Sequence, residues 1–492
     1  MGRSVLENRR VLDGLAVTLG GTDLATYRRT LRHELTGGDG GPVVATGHQP
    51  EFIHPGVWAK HVVAQRLASA VGGRVLNLVV DSDVPKDATL RVPSLEEGEL
   101  SVRTIRFVDV PAGTSYEDFP RLDRRAVRRL GLEVADAMGD RFGASLMPNF
   151  LDGFDRSPEP GDWVDQMVYA RRLVEEPFGV RMIEHRVSRV WFGPLLGEMI
   201  CNAHRFAACY NAALADYRRA CRIRGVQRPI PDLVVDGPRC EVAAWVLAAG
   251  GTRRRLYVER VADTVRLFAG TREIGGWRAD RLDCWGRVQE CLRGLGEYRF
   301  RPRALTLTLW ARLCLCDLFL HGIGGAKYDR ITDRLIECYF GIRPPAMACV
   351  SATLLLDLPG RWVTDETVRE VETRLRSLRC NPQRHLRCDG ELAELAAVRA
   401  AAVDESRRLR AESRFNRPAR RGAFETIREV SGRMLDRRPD VASAYRLDAE
   451  RIRREFRTAR IARRRDYFFA LFRRADLADL VGQLPPAEAF GV

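Results

Sequence analysis

The chain has 492 residues, 45% of them hydrophobic, and carries 80 Lys and Arg against 65 Asp and Glu. That length exceeds one compact core, so two to four domains are expected, and no apolar run reaches the roughly 18 residues needed to span a membrane. The opening ten residues hold no apolar stretch of the secretory kind, so a cytoplasmic protein without a membrane partner is expected.

In chain order, the first 35 residues read as a helical lead-in, closed by the breaker Gly37-Gly38-Asp39-Gly40-Gly41-Pro42. Val43 to Thr46 is a short buried-strand run. A loop with Gly47, Pro50, Pro55 and Gly56 follows, then a helix from about Val57 to Ala70 and a second buried strand, Val75 to Val80. Strand, loop, helix and strand in this order open a doubly wound sheet. From Arg121 to Arg224 the pattern turns mostly helical. Between Glu241 and Trp277 short apolar runs alternate with Gly250-Gly251 and Gly275-Gly276, as in a small antiparallel meander. Asp317 to Leu320 resumes the sheet, and a glycine loop and a helix from about Asp329 to Tyr339 follow. Beyond Leu354 the chain reads as helical. Leu395, Ala402 and Leu409 recur at heptad spacing, and Ile452, Phe456 and Ala459 share a face, which suits an antiparallel coiled-coil arm.

The predicted fold class is therefore α/β. A Rossmann-like parallel-sheet domain is interrupted by a helical insertion and a small antiparallel β insertion, and a C-terminal helical coiled-coil arm follows. The boundaries are 1–120 for the N-terminal helix and first half-sheet, 121–230 for the helical insertion and 231–300 for the β insertion. The second half-sheet takes 301–360 and the arm 361–492.

The twelve cysteines are scattered, and Cys201, Cys209, Cys314 and Cys316 lie in apolar stretches, so they are expected as reduced core thiols. Cys380, His385 and Cys388 lack a fourth ligand, and no metal site is predicted. Only Lys60, Lys86 and Lys327 are lysines among the 80 basic residues. So lopsided a ratio reflects composition bias and weakens any inference from net charge to nucleic acid, although eight arginines face one glutamate between Arg451 and Arg465. The surviving lysines are the informative cations, because they mark positions where a guanidinium is too wide, too flat or too permanently charged.

Three constellations carry chemistry. The first, Thr46-Gly47-His48-Gln49 through His54-Pro55-Gly56 to Lys60, joins the first strand to the first helix, where open α/β sheets bind ligands. Helix N–H groups there favour an anion, and His48 and His54 suit hydrogen bonding or proton transfer. The second is Asp81-Ser82-Asp83, two acids after the second strand. They suit a cation, an amine or a sugar hydroxyl, and equally a helix N-cap and turn. The third is Gly322-Ile323-Gly324-Gly325-Ala326-Lys327-Tyr328, whose glycines let backbone N–H groups approach a phosphate or carboxylate. The patch Asn381 to His385 is a further candidate, or only a loop.

The first segment is similar to two groups. His54-Pro55-Gly56-Val57 keeps the first histidine and the glycine of the nucleotidylyltransferase His-x-Gly-His signature, with Val57 in place of the second histidine. It more closely resembles the cysteine-adding enzymes of bacillithiol synthesis, whose loop reads Thr-Gly-Gln-Gln before a Gly-Pro turn and a Lys-bearing helix. Thr46, Gly47, Gln49 and Lys60 match, and His48 departs. The Gly322 segment resembles that family's Gly-Gly-Pro-x-Glu loop with its later tyrosine, here Tyr328. Pro344 to Thr353 resembles its Pro-x-x-x-x-Arg-x-Ser-x-Thr segment without the arginine.

The resemblance implies an enzyme that forms an amide or similar C–N bond between an amino acid, cysteine in the family, and a small polar acceptor, and that forms a homodimer through the C-terminal helices. His48, His54, Asp81 and Asp83 would be catalytic. Thr46, Gly47, Gln49, Lys60, Lys86, Gly322, Gly324, Gly325, Lys327 and Tyr328 would bind substrate or phosphate. The partners are small molecules. No cofactor is assigned, although ATP or another nucleotide would suit the loops. The alternatives are a nucleotidylyltransferase and an RNA-binding protein using the arginine-rich arm.

Overall fold

The computed structural model describes the chain apart from residues 39, 86–87, 97–98, 191, 225–229, 249–251, 283–284, 361–362, 413–416 and 492. It forms two units. The first comprises Met1–Val92, Arg103–Leu354 and Arg465–Val492, and the second Pro93–Val102 and Leu355–Arg464.

The first unit opens with α1 (Gly2–Asp13) and α2 (Leu24–Thr36). Asp23 caps α2 by accepting from the backbone N–H of Thr26, and Gly37 ends it with a left-handed φ of 65°. β1 (Val43–His48) follows, then α3 (Pro55–Ala70), with His54 as its N-cap and Pro55 at its first position. The α3 sequence is apolar around most of its circumference, and Trp58, Val62, Val63, Ala64 and Leu67 are all buried. β2 (Arg74–Val79), α4 (Trp163–Glu175), β3 (Ile183–Arg186) and α5 (Ala203–Ala220) come next.

An antiparallel sheet is then built from β4 (Val235–Asp236), β5 (Arg239–Leu247), β6 (Arg253–Val261), β7 (Thr264–Ala269), β8 (Arg272–Arg278) and β9 (Arg299–Pro302). Its order is β8-β7-β6-β5-β9, with β4 also on β5. α6 (Ala304–Trp310) leads to β10 (Leu318–His321), α7 (Ile323–Phe340) and β11 (Ala348–Cys349).

β11-β10-β1-β2-β3 is a five-stranded, all-parallel sheet. The chain steps outward from β1 to β2 and β3, then returns on the other side of β1 to lay down β10 and β11. The order therefore reverses between β1 and β10. The segment 121–230, expected as a mostly helical insertion, also supplies β3, because Ile183–Arg186 finds an open edge beside β2. The 231–300 meander is present, but its core is continuous with that of the parallel sheet: Ala45 and Leu76 belong to one apolar cluster with Val242, Leu267, Leu309 and Leu335. The reduced-thiol expectation fails at Cys209, which α5 bonds to Cys338 of α7, with Cα atoms 5.6 Å apart. Cys201, Cys314 and Cys316 remain thiols.

The second unit contains α8 (Asp365–Cys380), α9 (Glu391–Glu412), α10 (Arg417–Asp436) and α11 (Pro439–Ala462). Leu392 and Leu395 of α9 pack with Val430 and Met434 of α10. Ile452 and Ala459 of α11 pack with Val371 of α8, and Phe456 is half-buried beside them. Asn381 to His385 serves this packing, with His385 bonded to Ser377 Oγ at 2.8 Å and to Tyr445 Oη at 3.3 Å. Among the described residues no helix is long and apolar enough to cross a membrane.

Asp317 lies at the start of β10, fully buried. It accepts from Arg28 Nη2 at 2.9 Å, from Arg32 twice at 3.0 Å and from the backbone N–H of Val43 at 2.7 Å. Replacing Asp317 with Ala leaves two buried guanidiniums without that carboxylate. A loss of about 3–5 kcal/mol is expected, measured by urea denaturation. A loss near zero would show that both arginines find equivalent partners.

Candidate functional site

β1 ends at His48 and β10 at His321, and the loop after β1 and the start of α7 after β10 open onto one cleft of about 900 Å³. Gly47, His48, Gln49, His54 and Lys60 line it from the β1 side, and His321, Gly322, Gly324 and Gly325 from the β10 side. Trp245 and Arg253 of the antiparallel sheet line it too, together with Arg303 at the start of α6 and with Arg465. This is the crevice at the reversal of strand order, where open α/β sheets take their ligands.

Lys60 sits on α3 with 3% of its surface exposed, and its Nζ donates to the Gly47 carbonyl at 3.1 Å. Burial lowers its pKa from 10.5 to about 8, against an opposing effect of the Cys349 thiol. His48 is held neutral. Burial, then the Lys60 charge, lower its pKa to about 3, and its Nδ1–H donates to the Gln49 carbonyl at 3.1 Å. His54 is shifted down as well, by burial and then by Arg465. Its Nδ1 accepts from the backbone N–H of Gly56 at 3.0 Å. The two neutral rings are thus opposite tautomers: His48 keeps a lone pair on Nε2, and His54 keeps a proton there. Gly56 is required at the helix start, because a Cβ would collide with the carbonyl oxygen of Ala352.

Asp83 accepts from Gln49 Nε2 at 3.0 Å and from Arg253 Nη1 at 2.9 Å, which ties the antiparallel sheet to the loop after β2. Two guanidiniums lie over the Trp245 ring, Arg253 at 4.4 Å and Arg303 at 4.3 Å from its centre. Arg303 is anchored to the buried Glu241 at 2.5 Å. A second chamber of about 490 Å³ adjoins the cleft and shares His48, Gln49, His54, Val57, Asp83 and Asp466 with it. Glu51, Arg91, Tyr116 and Trp163 also line this chamber.

The cleft therefore brings together Gly47, His48, Gln49, His54, Lys60, Asp83, Gly322, Gly324 and Gly325. Four other expected site residues lie elsewhere. Asp81 is fully buried and bonded to Arg186 Nε at 2.6 Å and to Ser188 N at 2.8 Å, an internal brace between β2 and β3. Thr46 is buried, and its hydroxyl donates to the Leu320 carbonyl at 3.0 Å. Lys327 and Tyr328 are exposed on α7 and line neither chamber. The reason is that the glycine segment is not a loop: Gly322 is the N-cap, and α7 begins at Ile323, six residues earlier than the expected Asp329. Lys86 lies outside the described residues.

No family model matches the chain, and no match is found among curated proteins. Function rests on the site itself.

The buried Lys60 gives a stability test with a definite sign. Its folded pKa lies below the ordinary value, so its protonated form weakens the native state below about pH 8, and that cost is relieved as pH rises toward 10.5. The full cost is at most about 3 kcal/mol, less about 1 kcal/mol for the hydrogen bond to Gly47. Lys60→Met is expected to be the more stable protein near neutral pH, with a gap that narrows in mildly alkaline buffer. Urea denaturation at the two pH values checks it, and a gap that does not change with pH would contradict it.

Proposed function

We propose that the chain is a C–N bond-forming enzyme, a ligase or transferase that joins an amino acid to a small polar acceptor. The observation that carries this reading is the pair of adjoining chambers of opposite charge that meet at His48 and His54. The larger is lined by Lys60, Arg253, Arg303 and Arg465 against Asp83 and Asp466, and the smaller by Glu51, Asp83 and Asp466 against Arg91. An anion suits the first and an ammonium the second. The strand order, 3-2-1-4-5 counting the parallel strands along the chain, supports a Rossmann-like reading of the sheet. The matches at Gly47, Gln49 and Lys60 support the resemblance to the cysteine-adding enzymes.

In this reading Asp83 and its acidic neighbours hold the amine, and the arginines hold the carboxylate or phosphate of the other substrate. His48 Nε2 takes the proton that the amine nitrogen loses as it bonds to the acyl carbon. His54 Nε2–H donates to the oxygen that gains charge, and an anionic leaving group departs with the bonding electrons. ATP or another nucleotide is one source of such a leaving group. The helices of the second unit would pair two copies in a coiled-coil arm, so the full chain is expected to sediment as a dimer. A nucleotidylyltransferase is less well supported, since Val57 puts a methyl-bearing side chain in the cleft where that reading needs an imidazole. RNA binding by α11 is weakened by Arg451 and Arg453, which pair with Asp448, Glu455 and Glu372.

Calorimetric titration tests the two-chamber reading, with malate and inorganic phosphate as anion probes and L-cysteine and glycine as amine probes. Arg465→Ala is expected to weaken the anions about tenfold, or 1.4 kcal/mol, and to spare the amino acids. Asp83→Asn is expected to do the reverse. If neither class binds, or if both variants weaken both classes alike, the reading fails.

A further inference from the structure

Lys60 is the one lysine among the described residues that lines the cleft. Lysines at the bottom of clefts normally meet a carboxylate, because an isolated ammonium is costly to bury. Among the described residues Lys60 has none within ion-pairing distance. Its hydrogen bond runs to an uncharged acceptor, the Gly47 carbonyl. The titratable groups that share its electrostatic surroundings are His48 at the end of β1, His54 and His61 at and on α3, and Cys349 on β11. All three histidines are shifted toward the neutral form, each by burial first. Glu175, the acid beside His61, is engaged by His61 Nδ1 at 2.6 Å and by Arg171 Nη1 at 2.6 Å. Asp466 acts on His54 together with the opposing charge of Arg465. A buried amine bonded to a carbonyl rather than a carboxylate, and lining a cavity large enough for a small molecule, has the setting of a nucleophile rather than of a counter-ion.

We propose that Lys60 is a carbonyl-reactive lysine that forms an imine with a small anionic carbonyl compound, a 2-oxo acid or a phosphorylated aldehyde or ketone, whose charge Arg253, Arg303 and Arg465 receive. The step balances without a further reagent. Nζ as the free amine bonds to the carbonyl carbon, and the oxygen leaves as water with the two hydrogens of the amine, so that C=N replaces C=O. His54 Nε2–H lies in the same cleft to assist the departing oxygen, and His48 Nε2 accepts a proton in transit. The depressed basicity of Lys60 adds support, since it supplies free amine at near-neutral pH. The inference shares its cleft with the C–N joining reaction but does not require it. A chain that traps a carbonyl compound yet joins no amino acid would keep this inference and lose that reading.

The scarcity of lysine makes the experiment unusually clean, because the chain offers only Lys60, Lys86, Lys327 and its N-terminus as amines. The full-length protein is incubated near pH 7.5 with pyruvate, with glyceraldehyde 3-phosphate or with uncharged acetaldehyde, reduced with cyanoborohydride, and mapped by peptide mass spectrometry. The expected result is reductive alkylation of Lys60 at least about tenfold faster than of the exposed Lys327, with an anionic probe preferred to acetaldehyde. Which anionic probe reacts distinguishes the oxo acid from the phosphorylated carbonyl. Arg253→Ala, folded by circular dichroism, is expected to remove the preference for anions. Lys60→Arg is expected to remove the adduct, and the comparison of Lys60 with Lys327 within the wild-type chain stands even if that variant does not fold. Equal labelling of Lys60 and Lys327, or labelling of Lys327 alone, overturns the proposal.

Discussion

The two central strands are aligned by one carboxylate. Asp317 exchanges both backbone hydrogen bonds and side-chain bonds with the start of β1: its N–H donates to the Val43 carbonyl at 2.7 Å, and its Oδ2 accepts from the Val43 N–H at 2.7 Å. Arg28 and Arg32 on α2 neutralise it, and Asn8 on α1 donates to its carbonyl at 2.8 Å. A buried charge of this kind costs desolvation, which tight geometry and several donors offset. What it secures is register. With Asp317 set against Val43, Leu320 falls beside Thr46, and β10 ends at His321, one residue short of the level at which β1 ends. The cleft opens where these two strands end.

Much of the sheet was legible because parallel strands buried on both faces leave continuous apolar runs, as at Val43 to Thr46 and Val75 to Val80. Edge strands leave weaker traces. Ile183–Arg186 reads Ile-Glu-His-Arg, with neither an apolar run nor a clear alternation, because its polar side chains have internal partners: Glu184 bonds to Asn77 and Arg171, and Arg186 to Asp81. A strand stabilised by ion pairs rather than by apolar burial carries little periodic signal. The Cys209–Cys338 bond was hidden for a different reason, since its partners lie 129 residues apart on helices whose packing no local pattern specifies.

The site divides along the same line. Its local half, from Gly47 to Lys60, was visible because histidine, proline and glycine crowd a strand-to-helix junction. Its remote half was not. Trp245, Arg253, Arg303, Arg465 and Asp466 come from the antiparallel sheet, from the start of α6 and from the far end of the chain. With arginine so abundant, none of these positions stands out by residue type. Asp81 and Thr46 misled because a polar residue at a strand end serves equally as a ligand or as a brace, and only the third dimension shows which partner it has.

His48 and His54 also bear on how such a site meets changes in acidity. Histidine near a binding site commonly works as a sensor, gaining charge as its surroundings acidify. Here burial and nearby cations withhold that charge, and two backbone groups, the Gln49 carbonyl and the Gly56 N–H, select one tautomer for each ring. The pair presents one acceptor and one donor as a fixed polarity, more like an amide than a pair of imidazoles. A ligand entering the cleft therefore meets an acceptor at His48 and a donor at His54, while Lys60 changes charge near pH 8.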